Sequence, residues 1–198
     1  MLATLATGVV VIALPAGFAW FMGMFKRVLF KETTTKAGIY IFAQHVGPYK
    51  DVGAIFGLLE KARKLLPNGD DIHCAMISFD DPRKVEAAKL RSLCGLLLPM
   101  SLEALADDLQ QTVRKETGLE LDRRSLSGGK ALHTHFPFRN VLSYMIGPLK
   151  VYPAAQGLPQ LQPENPCCGC PMEVYRRDSI EFIFPLEHGE QYRHPADK

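Results

Sequence analysis

The sequence predicts an α+β fold: two strand-helix-strand-strand repeats forming one antiparallel-rich sheet with helices on one face, preceded by one transmembrane helix. Three observations predict it. Residues 2–25 carry no charge, and Lys26, Arg27 and Lys31 follow at once. The order strand, helix, strand, strand occurs twice between Gly38 and Leu186. A hairpin pattern, Met172 to Leu186 (MEVYRRDSIEFIFPL), closes the second repeat.

The chain has 198 residues, 47% of them hydrophobic, enough for one domain with a real core plus an appendage. A net charge of +2 and the lack of a basic face with interleaved aromatics argue against nucleic acid as a partner. The five cysteines do not form a secreted disulfide framework, so a reducing compartment is the easier reading.

The uncharged run at residues 2–25 exceeds the ~20 residues that a helix needs to cross a bilayer. Pro15 is tolerated in such a helix, and Trp20 and Phe21 suit an interface. The basic cluster after the run places the C-terminal domain in the cytosol by the positive-inside rule. A cleaved signal peptide is disfavoured, because no basic segment precedes the run and no small-residue cleavage site ends it. Residues 26–37 read as a basic juxtamembrane linker whose cations meet lipid headgroups at ~1 kcal/mol each.

Gly38 to His45 alternates like a strand, and Gly47-Pro48 breaks it. Val52, Ile55, Phe56, Leu59, Ala62 and Leu66 then recur at helical spacing until Pro67-Asn68-Gly69. Strands follow at Cys74 to Phe79 and at Leu90 to Leu97. Ser101 is placed to cap a helix with the apolar stripe Leu102, Leu105, Leu109 and Val113. Residues 115–129 read as a charged linker. The second repeat then begins with a strand at Ala131 to Phe136 and a helix holding Val141, Leu142, Tyr144, Met145 and Leu149. The hairpin ends the domain at residue 187, and residues 188–198 read as a short polar tail.

In the hairpin, Met172 and Val174 alternate with Glu173 and Tyr175, while Ile180, Phe182 and Phe184 alternate with Glu181 and Ile183. Placing both apolar sets on one face predicts a register with Val174 opposite Ile180 and Glu173 opposite Glu181. The loop would then be Arg176-Arg177-Asp178. Glu173, Tyr175 and Glu181 would share the face away from the helices, lining a cleft there, with Tyr144 as a further pocket aromatic. A carboxyl in a partly apolar cleft gains pKa by desolvation, so it can bind a cation or act as a general acid/base.

Metal and cofactor sites are not expected. Cys167, Cys168 and Cys170 (CCGC) meet metal-ligand spacing poorly and read as loop thiols. His133 and His135 share a strand face, but no carboxylate partner is evident nearby in sequence.

Several motifs in order are recognisable: His45 to Tyr49 (HVGPY), Phe79 to Pro82 (FDDP), Phe136 to Phe138 (FPF) with Leu142-Ser143 and Val151 to Ala154 (VYPA), and Glu173 to Tyr175 (EVY) through Phe184 to Leu186 (FPL). Together they resemble the GyrI-like small-molecule-binding domain family (the SHS2 type of fold), most of all its membrane-anchored branch of endoplasmic-reticulum (ER)-phagy receptors. The resemblance runs from about Gly38 to Leu186. It implies a pseudo-twofold domain whose central cleft binds small amphiphilic or cationic molecules, with Glu173 matching the family's strand glutamate and Tyr175 its tyrosine. It also implies an ER membrane location. The receptor branch carries a long tail whose motif binds autophagy modifier proteins. This sequence ends at Lys198 without such a motif, so those partners are expected only for a longer form. Some relatives hydrolyse strained cyclopropanoid electrophiles, which makes a hydrolase with Glu173 as acid/base the alternative reading.

Overall fold

The computed structural model describes residues 17–66, 69–161 and 170–197. The strands are β1 (Lys31–Thr34), β2 (Gly38–Val46), β3 (His73–Ser78), β4 (Arg91–Pro99), β5 (Asp122–Leu126), β6 (Lys130–Pro137), β7 (Met172–Tyr175) and β8 (Ser179–Pro185). The α-helices are α1 (Gly53–Arg63), α2 (Ala106–Thr117) and α3 (Ser143–Gln156). All eight strands form one antiparallel sheet in the order β1-β6-β8-β7-β3-β4-β2-β5. Two strand-helix-strand-strand units, β2-α1-β3-β4 and β6-α3-β7-β8, therefore meet at the β3–β7 pair in the middle.

Two segments read as linkers are edge strands instead. β1 pairs with β6 and β5 pairs with β2, each at one border of the sheet. Their polar composition hid them, because an edge strand with one exposed face needs little apolar patterning. Both are largely exposed.

Helices cover one face. Over the β2–β4 half, Ile39, Ile41, Leu96 and Leu98 pack against Leu59 and Ala62 of α1 and Leu109 and Val113 of α2. Gly95 lets β2 and β4 approach closely, since a Cβ there would lie 2.2 Å from the Ile41 carbonyl oxygen. Over the β6–β8 half, α3 turns Ser143, Gly147, Val151 and Ala155, spaced by four residues, onto Phe136 and Phe182. Gly147 brings α3 close, its missing Cβ position being 3.2 Å from Phe182. α2 has no side-chain cap, because a 3-10 turn at Met100–Leu105 separates Ser101 from it.

The second face is also covered. Tyr40, Phe42, Ala75, Ile77, Met172 and Val174 cluster there with Tyr192. Residues 188–197, read as a free polar tail, lie across this face. Arg124 donates to the carbonyls of Gln191 (2.7 Å) and Arg193 (2.9 Å), and Arg91 pairs with Asp197 at 2.9 Å.

The expected membrane helix is described only in its last third. Residues 2–16 lie outside the described residues. Residues 17–21 are helical, and the helix stops at Gly23, whose φ of 75° is left-handed. Met22 is fully buried, and Gly23 lies against Phe136 and Pro137. Lys150 of α3 donates to the carbonyls of Met24 and Lys26. One continuous helix to Phe25 is therefore corrected by this turn. Among the described residues, no helix is long and apolar enough to cross a membrane.

Candidate functional site

The hairpin register differs by one residue from the expected one. Tyr175 faces Ile180, Val174 faces Glu181, Glu173 faces Phe182 and Met172 faces Ile183. Arg176 N–H donates to the Ser179 carbonyl at 2.9 Å, so the turn is the even, two-residue Arg177-Asp178. A single-residue slip moves a strand's side chains to the other face. Here it puts Glu173 and Tyr175 on the face of Ile180, Phe182 and Phe184, beneath the helices. Glu181 stays on the opposite face, across from Val174. The pairing of Glu173 with Glu181 and the cleft on the helix-free face are both corrected by this register.

The cleft lies on the helix face, in the gap between α1 and α3. Its volume is about 1900 Å³. The floor comes from Cys74, Met76 and Ser78 of β3 beside Glu173 and Tyr175 of β7. Residues four apart form the walls: Val52, just before α1, with Phe56 and Glu60 of α1 on one side, and Tyr144, Pro148 and Tyr152 of α3 on the other. Tyr152 was missed in the sequence because the helix was read only to Leu149. Its spacing of eight from Tyr144 is the signal that would have found it.

Glu173 is only 4% exposed. The Tyr152 hydroxyl donates to its Oε1, and the Tyr175 hydroxyl donates to its Oε2 at 3.0 Å. Burial pushes the Glu173 carboxyl above the ordinary glutamate range, and the two tyrosine hydrogen bonds oppose this only in part. Burial, and then the Glu173 charge, holds both tyrosines well above their ordinary value, so they remain donors. Neutral hydroxyls are thus its hydrogen-bond partners among the described residues, with no guanidinium or ammonium.

The aromatic surroundings are continuous. The Tyr175 ring meets Phe56 edge-on at 5.3 Å and Tyr144 at 5.2 Å, and Tyr144 meets Phe138 at 5.0 Å. Tyr175 therefore bridges the two helical walls. Tyr144 is 46% exposed and stands towards the mouth, where Val141, Leu142, Met145 and Leu149 are also exposed.

Glu60, Cys74 and Tyr49, which also line the cleft, are committed elsewhere. Arg63 donates two hydrogen bonds to Glu60 and holds its carboxyl below the ordinary value. Burial first, then the Glu60 charge, pushes the Cys74 thiol up to about 12, so it is not a thiolate nucleophile at neutral pH. Tyr49, half-buried and donating to the Asp80 carbonyl at 2.8 Å, is likewise pushed up to about 12, chiefly by desolvation. Of the three loop cysteines, Cys167 and Cys168 lie outside the described residues, and Cys170 packs beneath the second face.

Fold and cleft together define an α+β architecture, one antiparallel eight-stranded sheet with an aromatic cleft between the helices on one face. No family model and no curated protein matches the chain. Among solved structures it is similar to the EcmrR C-terminal domain, at 11% identity and a TM-score of 0.45, over 80% of this chain and 96% of that one. An integron cassette protein from Vibrio cholerae is similar at 10% identity and a TM-score of 0.46, over 79% and 94%. SAV2435, solved bound to tetraphenylphosphonium, is similar at 12% identity and a TM-score of 0.46, over 84% and 98%.

The raised Glu173 carboxyl makes stability depend on pH. The native state keeps this proton where the unfolded chain has lost it, so stability falls as pH rises from the ordinary glutamate value of 4.5 through the raised one. Glu173→Gln removes that dependence. Urea unfolding followed from acid to mildly alkaline pH should give a flatter profile for the variant, which gains on the wild type at the alkaline end. Parallel profiles for the two proteins would contradict the burial argument.

Proposed function

We propose that this chain is a binding module for small lipophilic cations, with Glu173 as the anionic anchor and Tyr144, Tyr152, Tyr175 and Phe56 as the aromatic enclosure. One observation carries the reading: among the described residues, a buried carboxyl open to a large aromatic cleft is hydrogen-bonded by neutral hydroxyls and by no cation. An unpaired carboxylate in such a place costs several kcal/mol, which a cation entering the cleft offsets. Aromatic rings around the cation add attraction through their faces. The apolar side chains at the mouth suit an amphiphile better than a small hydrated ion. The resemblance to GyrI-like domains supports the same ligand class.

A hydrolase acting on strained-ring electrophiles draws on the same carboxyl as acid/base. Glu181, the other carboxyl expected in the cleft, lies on the other face of the sheet and so supplies no second catalytic group there. Binding without turnover is therefore the stronger reading.

Membrane anchoring through the uncharged run ahead of the turn at Met22, with the domain on the cytosolic side, belongs to this proposal. Its support is the uncharged run and the basic flank that follows it. Placement at the ER, and a part in its autophagic turnover, are supported by the resemblance alone. Protease added to sealed microsomes should digest the domain without detergent. Survival of the domain would overturn the orientation.

Calorimetric titration of the full chain in mild detergent with tetraphenylphosphonium tests the ligand class. Glu173→Gln should weaken binding by on the order of 10-fold or more, the scale of a lost hydrogen-bonded charge partner. Wild-type affinity should rise with pH as Glu173 ionises. Equal affinity for both proteins at every pH would remove Glu173 from the role.

A further inference from the structure

Glu181, separated from the cleft by the hairpin register, stands beside two histidines on the other face of the sheet. His133 and His135 alternate with the core residues Leu132, Thr134 and Phe136, so both face away from α3. Glu181 stands directly opposite His135 across the β6–β8 pair. One ligand atom from each of the three residues lies within 4.8 Å of the others. The two imidazoles are edge-on, with centroids 4.6 Å apart.

We propose that His133, His135 and Glu181 form a site for a single borderline transition-metal ion, Zn²⁺ by preference. Two imidazoles and one carboxylate are a donor set that such ions favour over Ca²⁺ or Mg²⁺, which take oxygen. Metal bonds of ~2.0–2.1 Å bring ligand atoms to roughly 3.4 Å from one another. Small side-chain rotations close the present separations to that value.

Two details fit. The Glu181 oxygens are already divided: Oε2 accepts from Arg176 at 2.8 Å, while Oε1 faces His135 Nδ1 at 3.8 Å. Arg176 thus steadies the carboxylate by one oxygen and leaves the other towards the histidines, as outer-shell partners of metal ligands do. The second detail is His133 Nε2, which is buried and has no hydrogen-bond partner among the described residues. A buried polar nitrogen without a partner is costly, and a polar ligand beside it relieves the cost. His135 is exposed, so the fourth coordination position opens to solvent and takes water or an external donor. None of the three ligands lines the cleft.

Co²⁺ titrated into the full chain in mild detergent, followed by visible absorption, tests the assignment. The site should give d–d bands that saturate at one equivalent, without the near-ultraviolet charge-transfer band of a thiolate ligand. His135→Gln, an exposed change that the fold tolerates, should weaken binding by on the order of 10–100-fold, at least the cost of losing a supporting residue. His133→Gln should do the same, and Glu173→Gln should leave the titration unchanged. A thiolate band, which would place the ion on the cysteine loop, overturns the proposal. So does a titration that never saturates, or one that His135→Gln leaves as it was.

Discussion

Everything particular to this molecule depends on a carboxyl kept out of water at the centre of its sheet. Glu173 sits on β7, which pairs with β3 where the two repeats meet. Its hydroxyl partners come from the neighbouring position on its own strand, Tyr175, and from the helix above, Tyr152. A buried carboxyl with these partners is stable as an acid and uneasy as an anion. The fold tolerates it because α1 and α2 cover one half of the sheet, α3 covers the other, and the centre between them is left open. Tyr175 spans that opening through its contacts with Phe56 on one wall and Tyr144 on the other. Positioning, enclosure and electrostatics therefore act through the same few side chains.

The two faces of the sheet divide the chemistry between them. Beneath the helices lie the cleft and its aromatic walls. On the other face, residues 188–197 cover the apolar cluster around Tyr40 and Val174, and a polar row runs along one end of the strands. In that row Arg176 lies between His73, at 2.6 Å, and Glu181, at 2.8 Å, and Glu181 in turn faces His135. Period-two alternation keeps the two sets of carboxyls apart, although residues 173 and 181 belong to one hairpin.

Much of the architecture was legible in the sequence because elements buried on both sides stand out as apolar runs between turn residues. β2, β3, β4, β6 and α1 stand close to where their patterns place them. The edge strands β1 and β5 were not legible, since Lys31–Thr34 and Asp122–Leu126 carry charges that an exposed border accepts. The hairpin register failed for a physical reason. Met172 and Val174 look like partners for Ile180 and Phe182, yet both faces of this sheet are covered, so apolar residues are needed on each. Burial on two faces removes the asymmetry that would have fixed the register. With the register went the location of the cleft and the company of Glu181. Glu173, Tyr175 and Tyr144 do come together at the cleft, on the face that the sequence had assigned to packing. Tyr152 completes the group from a helix two turns longer than Leu149 suggested.

The account stands on the Glu173 carboxyl being a desolvated acid that an entering cation ionises. Carbon-detected NMR of the side-chain carboxyls, titrated with pH in the free chain and again with saturating tetraphenylphosphonium, observes this directly. The account predicts a Glu173 resonance that titrates above the ordinary glutamate range when free and moves down when the cation is bound, because linkage between proton and cation is reciprocal. A Glu173 resonance that titrates in the ordinary range and is unmoved by the cation would contradict it.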